Sequence, residues 1–147
     1  MKVKELMTME PATLAPDATL GEAATLMKQE DCGSIPIVQG GRLVGIVTDR
    51  DIVIRAIAAG KDPRSTRVSE VMSADPVTIG PDDDAKEAER LMAERQIRRL
   101  PVTDDGALAG ILAIGQLARR ERDEGKLGET LKEISEPMSG RGSHARG

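Results

Sequence analysis

"GIVTDRDIV", Gly45 to Val53, returns sixty-five residues later as "GILAIGQLA", Gly110 to Ala118. Both stretches open on glycine, run through apolar residues that read as a strand, and pass into a helix-like run. The first has Thr48 and Asp51 where the second has Ala113 and Gln116. Working outward from this pair, a shift of 65 aligns Val3–Arg55 with Val68–Arg120 without a gap. Seventeen of the 53 aligned pairs are identical, against roughly three or four by chance. Among them are Met7/Met72, Pro11/Pro76, Thr13/Thr78, Pro16/Pro81, Glu22/Glu87, Met27/Met92, Pro36/Pro101, Gly41/Gly106 and Gly45/Gly110. The chain is an internal repeat.

Each copy reads the same way. "EPATLAP" and "DPVTIGP" predict a short strand closed by proline. Thr19 with Glu22, and Asp84 with Glu87, have the spacing of an N-cap and its N3 partner, so a helix follows. "IPIV" and "RLVGIV" predict two strands around the turn "QGG"; "LPVT" and "LAGIL" do the same around "DDG". A second helix is expected from Asp49 in one copy and Ile114 in the other. The first of these stops at Gly60, with Pro63 beyond. The expected fold class is α/β (α+β), a β-α-β-β-α unit twice. Such a half is small for a core of its own, so the halves are expected to pack about a pseudo-two-fold axis. The boundaries read as repeat 1 over 1–60, a linker over 61–67 and repeat 2 over 68–122. A short C-terminal helix over 123–136, from Leu127, Leu131 and Ile134, and a disordered tail over 137–147 follow.

Composition narrows the function. The 147 residues include no Phe, Tyr or Trp, so the core is aliphatic and a flat ligand would be gripped without ring stacking. A net charge of −4 argues against nonspecific nucleic-acid binding, which needs a basic footprint. A single cysteine, Cys32, excludes an internal disulfide and a Cys-rich zinc site. "MKVKELMTME" has no apolar signal region and no stretch approaches membrane-spanning length, so the expectation is a cytoplasmic protein.

No catalytic or metal set emerges. His144, the only histidine, lies in the tail without a partner. "PDDDA" reads as first-turn helix charge, and Cys32 as a small apolar residue or a sensor thiol. Thr48 and Asp51 fit a helix N-cap and its acidic partner, or a ligand contact that the second copy has given up. Arg98 and Arg99, with Arg95, fit either a solvated helix end or an anion site.

The Met-Thr and Met-Ser pairs opening the copies, "GSIPIV", "RRLPVT" and "GIVTDRD" together resemble a pair of cystathionine-β-synthase (CBS) domains over residues 3–120. "AIAAGKDP" and "EISEP" resemble those of small stand-alone bacterial CBS pairs, a group that includes hypoxic response proteins. The resemblance implies a sensor and not an enzyme, a side-by-side homodimer forming a flat disc, and an adenosine ligand in the cleft between halves. That ligand would be AMP, ADP, ATP, S-adenosylmethionine or NAD(H), with no obligatory cofactor.

Carried over from the family, Asp51 would accept the ribose hydroxyls, with Thr48 beside it. Ile46 and Val77 would wall the purine, with Leu100 and Pro101 in the pocket-forming run. Arg98, Arg99 and Arg50 would meet phosphate. The mirror-related site would combine Ala12, Thr13, Gly33, Ser34, Ile35 and Pro36 with Ala113 and Gln116. It lacks the carboxylate and the arginines, so one stronger and one weaker site are expected. With no effector domain in this chain, an output would act in trans on a separate partner. The rival reading is a ligand-free CBS dimerisation and interaction module.

Overall fold

The 65-residue period of the sequence is also a period of the backbone. The structure, a computed structural model, describes residues 1–124; the expectations for 125–136 and for the tail lie outside those residues. Strand β1 is Thr8–Met9, helix α1 Leu20–Glu30, β2 Ser34–Gln39 and β3 Arg42–Thr48. Helix α2, Asp49–Asp51, continues as π-helical turns over Ile52–Ile57. Then come β4 Ser73–Ala74, α3 Ala85–Arg95, β5 Arg99–Asp104, β6 Ala107–Ala113 and α4 Ile114–Glu124. The mixed α/β class is as expected.

Local chemistry explains the elements. Thr19 Oγ1 accepts the Glu22 N–H at 3.2 Å and caps α1. Asp84 caps α3 differently from expectation: its carboxylate takes the Lys86 N–H at 2.9 Å, while Glu87 pairs with Arg90. The hairpins turn where positive φ is needed, at Gly40 and Gly41 (+60°, +80°) and at Asp105 and Gly106 (+51°, +84°).

The first strand expected in each copy shrinks to one parallel bridge, Leu14 to Ile37 and Ile79 to Val102. Leu14 donates to Pro36 O and accepts from Val38 N–H; Ile79 does the same with Pro101 and Thr103. The flanking Pro11, Pro16, Pro76 and Pro81 bring no N–H groups with which to extend the ladder.

The chain forms two compact units. One comprises 12–76 with 106–108; the other comprises 1–11, 77–105 and the chain from 109. The leading segment of each repeat therefore sits with the body of the other repeat. In the first unit Val68 donates to Ala18 O at 2.8 Å, and in the second Val3 donates to Asp83 O at 2.9 Å. Strand β4 pairs antiparallel with β3 (Gly45 to Ala74, Ile46 to Ser73), and β1 with β6 (Gly110 to Met9, Ile111 to Thr8).

This arrangement accounts for the motif glycines. A Cβ on Gly45 would lie 2.5 Å from Met72 Sδ and 3.0 Å from Ser73 O; one on Gly110 would lie 2.6 Å from Thr8 O. No side chain fits at either position without displacing the segment beside it. Each unit also has its own apolar cluster. Leu20, Ile35, Ile37, Val47 and Val68 anchor one; Val3, Met92, Leu100, Leu112 and Leu117 anchor the other. The leading segments supply Val68 and Val3, both fully buried. A half that is short of core residues thus gains them from the other repeat's sequence.

Candidate functional site

The corner after β3 is built by reciprocal capping. Thr48 Oγ1 accepts the Asp51 N–H at 3.0 Å, and Asp51 Oδ2 accepts the Thr48 N–H at 2.9 Å. Both bonds satisfy amides that a helix start leaves open. The other carboxylate oxygen of Asp51 lies 3.8 Å from Arg55 Nε, and the side chain is 14% exposed. Arg55 also donates to Val71 O at 3.1 Å. That arginine was missed in the sequence reading, although its i,i+4 spacing from Asp51 was visible.

Opposite this corner stands the start of β2. Ser34 is the register partner of Thr48 and Pro36 that of Ile46. Asp49 donates to Gly33 O at 2.9 Å. Residues assigned by sequence to two different sites, Thr48 and Asp51 on one side and Gly33–Pro36 on the other, are therefore neighbours within one unit. Ser34 is 4% exposed, and its Oγ has no hydrogen-bond partner. Ile46 is half-buried, Arg50 exposed and Ile35 part of the core. Ala12 is half-buried, while Thr13 lines an open groove of about 690 Å³ beside α1, with Leu14, Glu22, Leu26 and Arg64.

The second unit repeats the corner with different atoms. Gln116 Oε1 accepts the Ala113 N–H at 2.8 Å, as Asp51 does for Thr48. Ala113 has no hydroxyl to return the bond. The Gln116 amide instead donates to Thr8 Oγ1 at 2.9 Å, a partner the sequence reading did not foresee. Ile114 donates to Arg98 O at 2.8 Å, the counterpart of Asp49 to Gly33. Arg98 and Arg99 are half-buried, and the Nε atom of each is buried without a hydrogen-bond partner. Arg99 aligns with Ser34 at the 65-residue shift. Leu100 is fully buried in the core, Pro101 is buried beside it, and Val77 is half-buried.

Chemically, the first unit presents the part-buried Asp51 carboxylate at the corner and, across the strand register from Thr48, the buried Ser34 hydroxyl, groups of a kind that hydrogen-bond a polyol. The second presents two guanidinium groups, suited to an oxyanion. Among the described residues no group of three His, Cys, Asp or Glu side chains is placed to hold a metal. No helix among them is long and apolar enough to cross a membrane.

Two β-α-β-β-α repeats, each with a capped corner after its hairpin, define the class. The family model of the CBS domain matches residues 3–57 and 68–123, and the chain belongs to that family. The chain is 47% identical over 133 residues to the CBS domain-containing protein YhcV of Bacillus subtilis, covering 90% of this chain and 94% of that one. It is 32% identical over 137 residues to hypoxic response protein 1 of Mycobacterium tuberculosis, covering 92% and 95%. Solved structures that share its fold include two named with ligands. CBSX2 in complex with AMP has a TM-score of 0.74 at 26% identity, over 84% of this chain and 98% of that one. The CBS domain pair of MJ0100 with 5′-methylthioadenosine and S-adenosyl-L-methionine has a TM-score of 0.73 at 26% identity, with the same coverage.

Proposed function

We propose that this chain is a regulatory CBS pair that binds an adenosine-containing ligand and signals to a separate protein in trans. Asp51 and Thr48 take the ribose, Ile46 and Val77 the purine faces, and Arg98 and Arg99 a phosphate. The backbone at Leu100 and Pro101 borders the base, and Arg50 is a further phosphate donor. The reading is supported most by one observation. Ser34 Oγ, Arg98 Nε and Arg99 Nε are all buried without hydrogen-bond partners, and all three sit where β2 and β5 begin. Buried polar groups are ordinarily satisfied, so unpartnered ones recurring at the repeat-related starts of β2 and β5 favour a polar ligand. The adenosine ligands named for the CBSX2 and MJ0100 structures favour the same chemistry.

The arginines favour AMP, ADP or ATP over S-adenosylmethionine and NAD(H). Gln116 is tied to Ala113 and Thr8 and carries no charge, so a site using it with Ala12, Thr13 and Gly33–Pro36 is the weaker one. The protein works as a cytoplasmic homodimer and performs no catalysis of its own.

A second reading has its own support: the reciprocal Thr48–Asp51 bonds account for both residues as a helix cap. On that reading the chain is a ligand-free interaction module. Thermal unfolding followed by circular dichroism separates the two. A ligand at a hundredfold excess over its dissociation constant adds about 2.7 kcal/mol, a rise of a few degrees. An unchanged midpoint with AMP, ADP, ATP, S-adenosylmethionine and NAD(H) would leave the interaction module.

A further inference from the structure

One arginine position serves different carboxylates in the two repeats. Arg55 and Arg120 align at the 65-residue shift. Arg120 lies 3.6 Å from Glu89 of α3, and both side chains are largely buried, so the pair ties α4 to α3. The position of Glu89 in the first repeat is Ala24, which has no carboxylate to offer. Arg55 instead lies 3.8 Å from Asp51 Oδ1, while its Nη1 donates to Val71 O at 3.1 Å. Asp51 Oδ2 is already taken by the Thr48 N–H. A separation of 3.8 Å attracts Oδ1 without consuming a lone pair, as a hydrogen bond would. Arg55 also falls within the π-helical turns Ile52–Ile57, a geometry that frequently marks functional sites.

We propose that Arg55 is a positioning residue for ligand binding: steadied by the Val71 carbonyl, it holds the Asp51 carboxylate in the orientation that leaves Oδ1 for the ribose hydroxyls. The inference rests on the ribose role of Asp51 proposed above and adds the residue that prepares it. Thr48 N–H and Arg55 fix the two carboxylate oxygens from different sides. Without Arg55 only Oδ2 is held, and the terminal torsion of an aspartate is broad. Fixing a group in its bound orientation before the ligand arrives removes an ordering cost from binding. The cap itself does not require the arginine. Gln116 holds the Ala113 N–H with Thr8 as its other partner, while Arg120 serves the pair between helices.

The test is a double-mutant cycle in the full chain: the parent, Arg55→Ala, Asp51→Asn and the two together, each titrated calorimetrically with AMP and with adenosine. Arg55→Ala is expected to weaken both ligands about three- to fivefold, the upper range for a part-exposed ion pair. Arg55→Lys keeps the charge and is expected to lose less. In the Asp51→Asn background Arg55→Ala should have no further effect, because the carboxylate it positions is gone. A purely structural arginine would weaken binding equally in both backgrounds, and that result would overturn the inference. A larger loss for AMP than for adenosine would also overturn it, since Arg55 would then meet the phosphate itself. If Asp51→Asn weakens AMP and Arg55→Ala does not, the inference fails while the ribose reading stands. A parent that binds neither ligand, or an Asp51→Asn chain that binds as the parent does, would overturn both.

Discussion

Asp51 and Gln116 do the same backbone work in the two repeats: each accepts the amide hydrogen of the residue three before it, at 2.9 Å from Thr48 and 2.8 Å from Ala113. A neutral amide therefore suffices for the cap. The negative charge of Asp51 exceeds what helix initiation requires; it faces Arg55 at 3.8 Å, and on the proposed function it also accepts the ribose hydroxyls. Asp51→Asn isolates it, because an amide oxygen keeps the acceptor and loses the charge. The expected outcome is a small change in unfolding midpoint and a loss of adenosine-ligand affinity of about ten- to a hundredfold, or about 1.5–3 kcal/mol. Asp51→Ala should lose affinity similarly and also about 1 kcal/mol of stability from the missing cap. Calorimetric titration alongside thermal unfolding reads both quantities.

The arginine pair makes a separate prediction. If Arg99 meets phosphate, Arg99→Ala weakens AMP more than it weakens adenosine, by about tenfold or more for a charge-assisted contact. Equal losses for the two ligands, measured by competition, would remove the phosphate role and leave Arg99 as packing.

The close approach at the motif glycines predicts a stability effect with no ligand present. Gly110→Ala forces a methyl to within 2.6 Å of the Thr8 carbonyl, and overpacking of this kind costs about 1–3 kcal/mol. Gly115→Ala has open space around it and lies in the first turn of α4, so it should be neutral or slightly stabilising. Denaturant unfolding of the two variants compares them directly.

Much of this architecture was legible in sequence, because a gapless repeat with proline and glycine at fixed positions transmits its own secondary structure. The hairpins at Gly40–Gly41 and Asp105–Gly106, the Thr19 cap and the helix starts at Asp49 and Ile114 follow from residue chemistry at known spacing. The exchange of leading segments does not. Thr8–Met9 and Ser73–Ala74 are two residues each, too short for a period to show, and nothing local says which repeat's hairpin they join. The π-helical turns are hidden for a similar reason, since Ile52–Ile57 is apolar enough to satisfy either helical period. At the site, the residue types of Thr48 and Asp51 showed which atoms were available. That Gln116 would replace half of the cap, with Thr8 as its second partner, depends on the segment exchange and was out of reach.

The leading segment is also held electrostatically. Asp82 lies 3.0 Å from Lys4 Nζ and 3.5 Å from Lys2 Nζ, and its hydrogen bond with and attraction to Lys4 hold its carboxyl below the usual carboxylate range. A carboxyl with a lowered folded-state pKa contributes stability above its unfolded value, about 4, and loses it as pH falls through the folded value. Asp82→Asn should therefore lower the unfolding midpoint at pH 7 and have no effect once the carboxyl is protonated in both states. The groups are exposed, so the effect is small and should fade in high salt. A difference that persists in acid would assign it to packing.

The central claim is that this chain holds an adenosine ligand, and equilibrium dialysis against AMP read by absorbance near 260 nm tests it most directly. A chain without Phe, Tyr or Trp contributes almost nothing at that wavelength, so the excess on the protein side is bound nucleotide. The account predicts saturation near one AMP per chain, with Asp51→Asn shifting the curve to higher concentration. Equal absorbance on both sides up to millimolar AMP, repeated with ADP, ATP, S-adenosylmethionine and NAD(H), would contradict it.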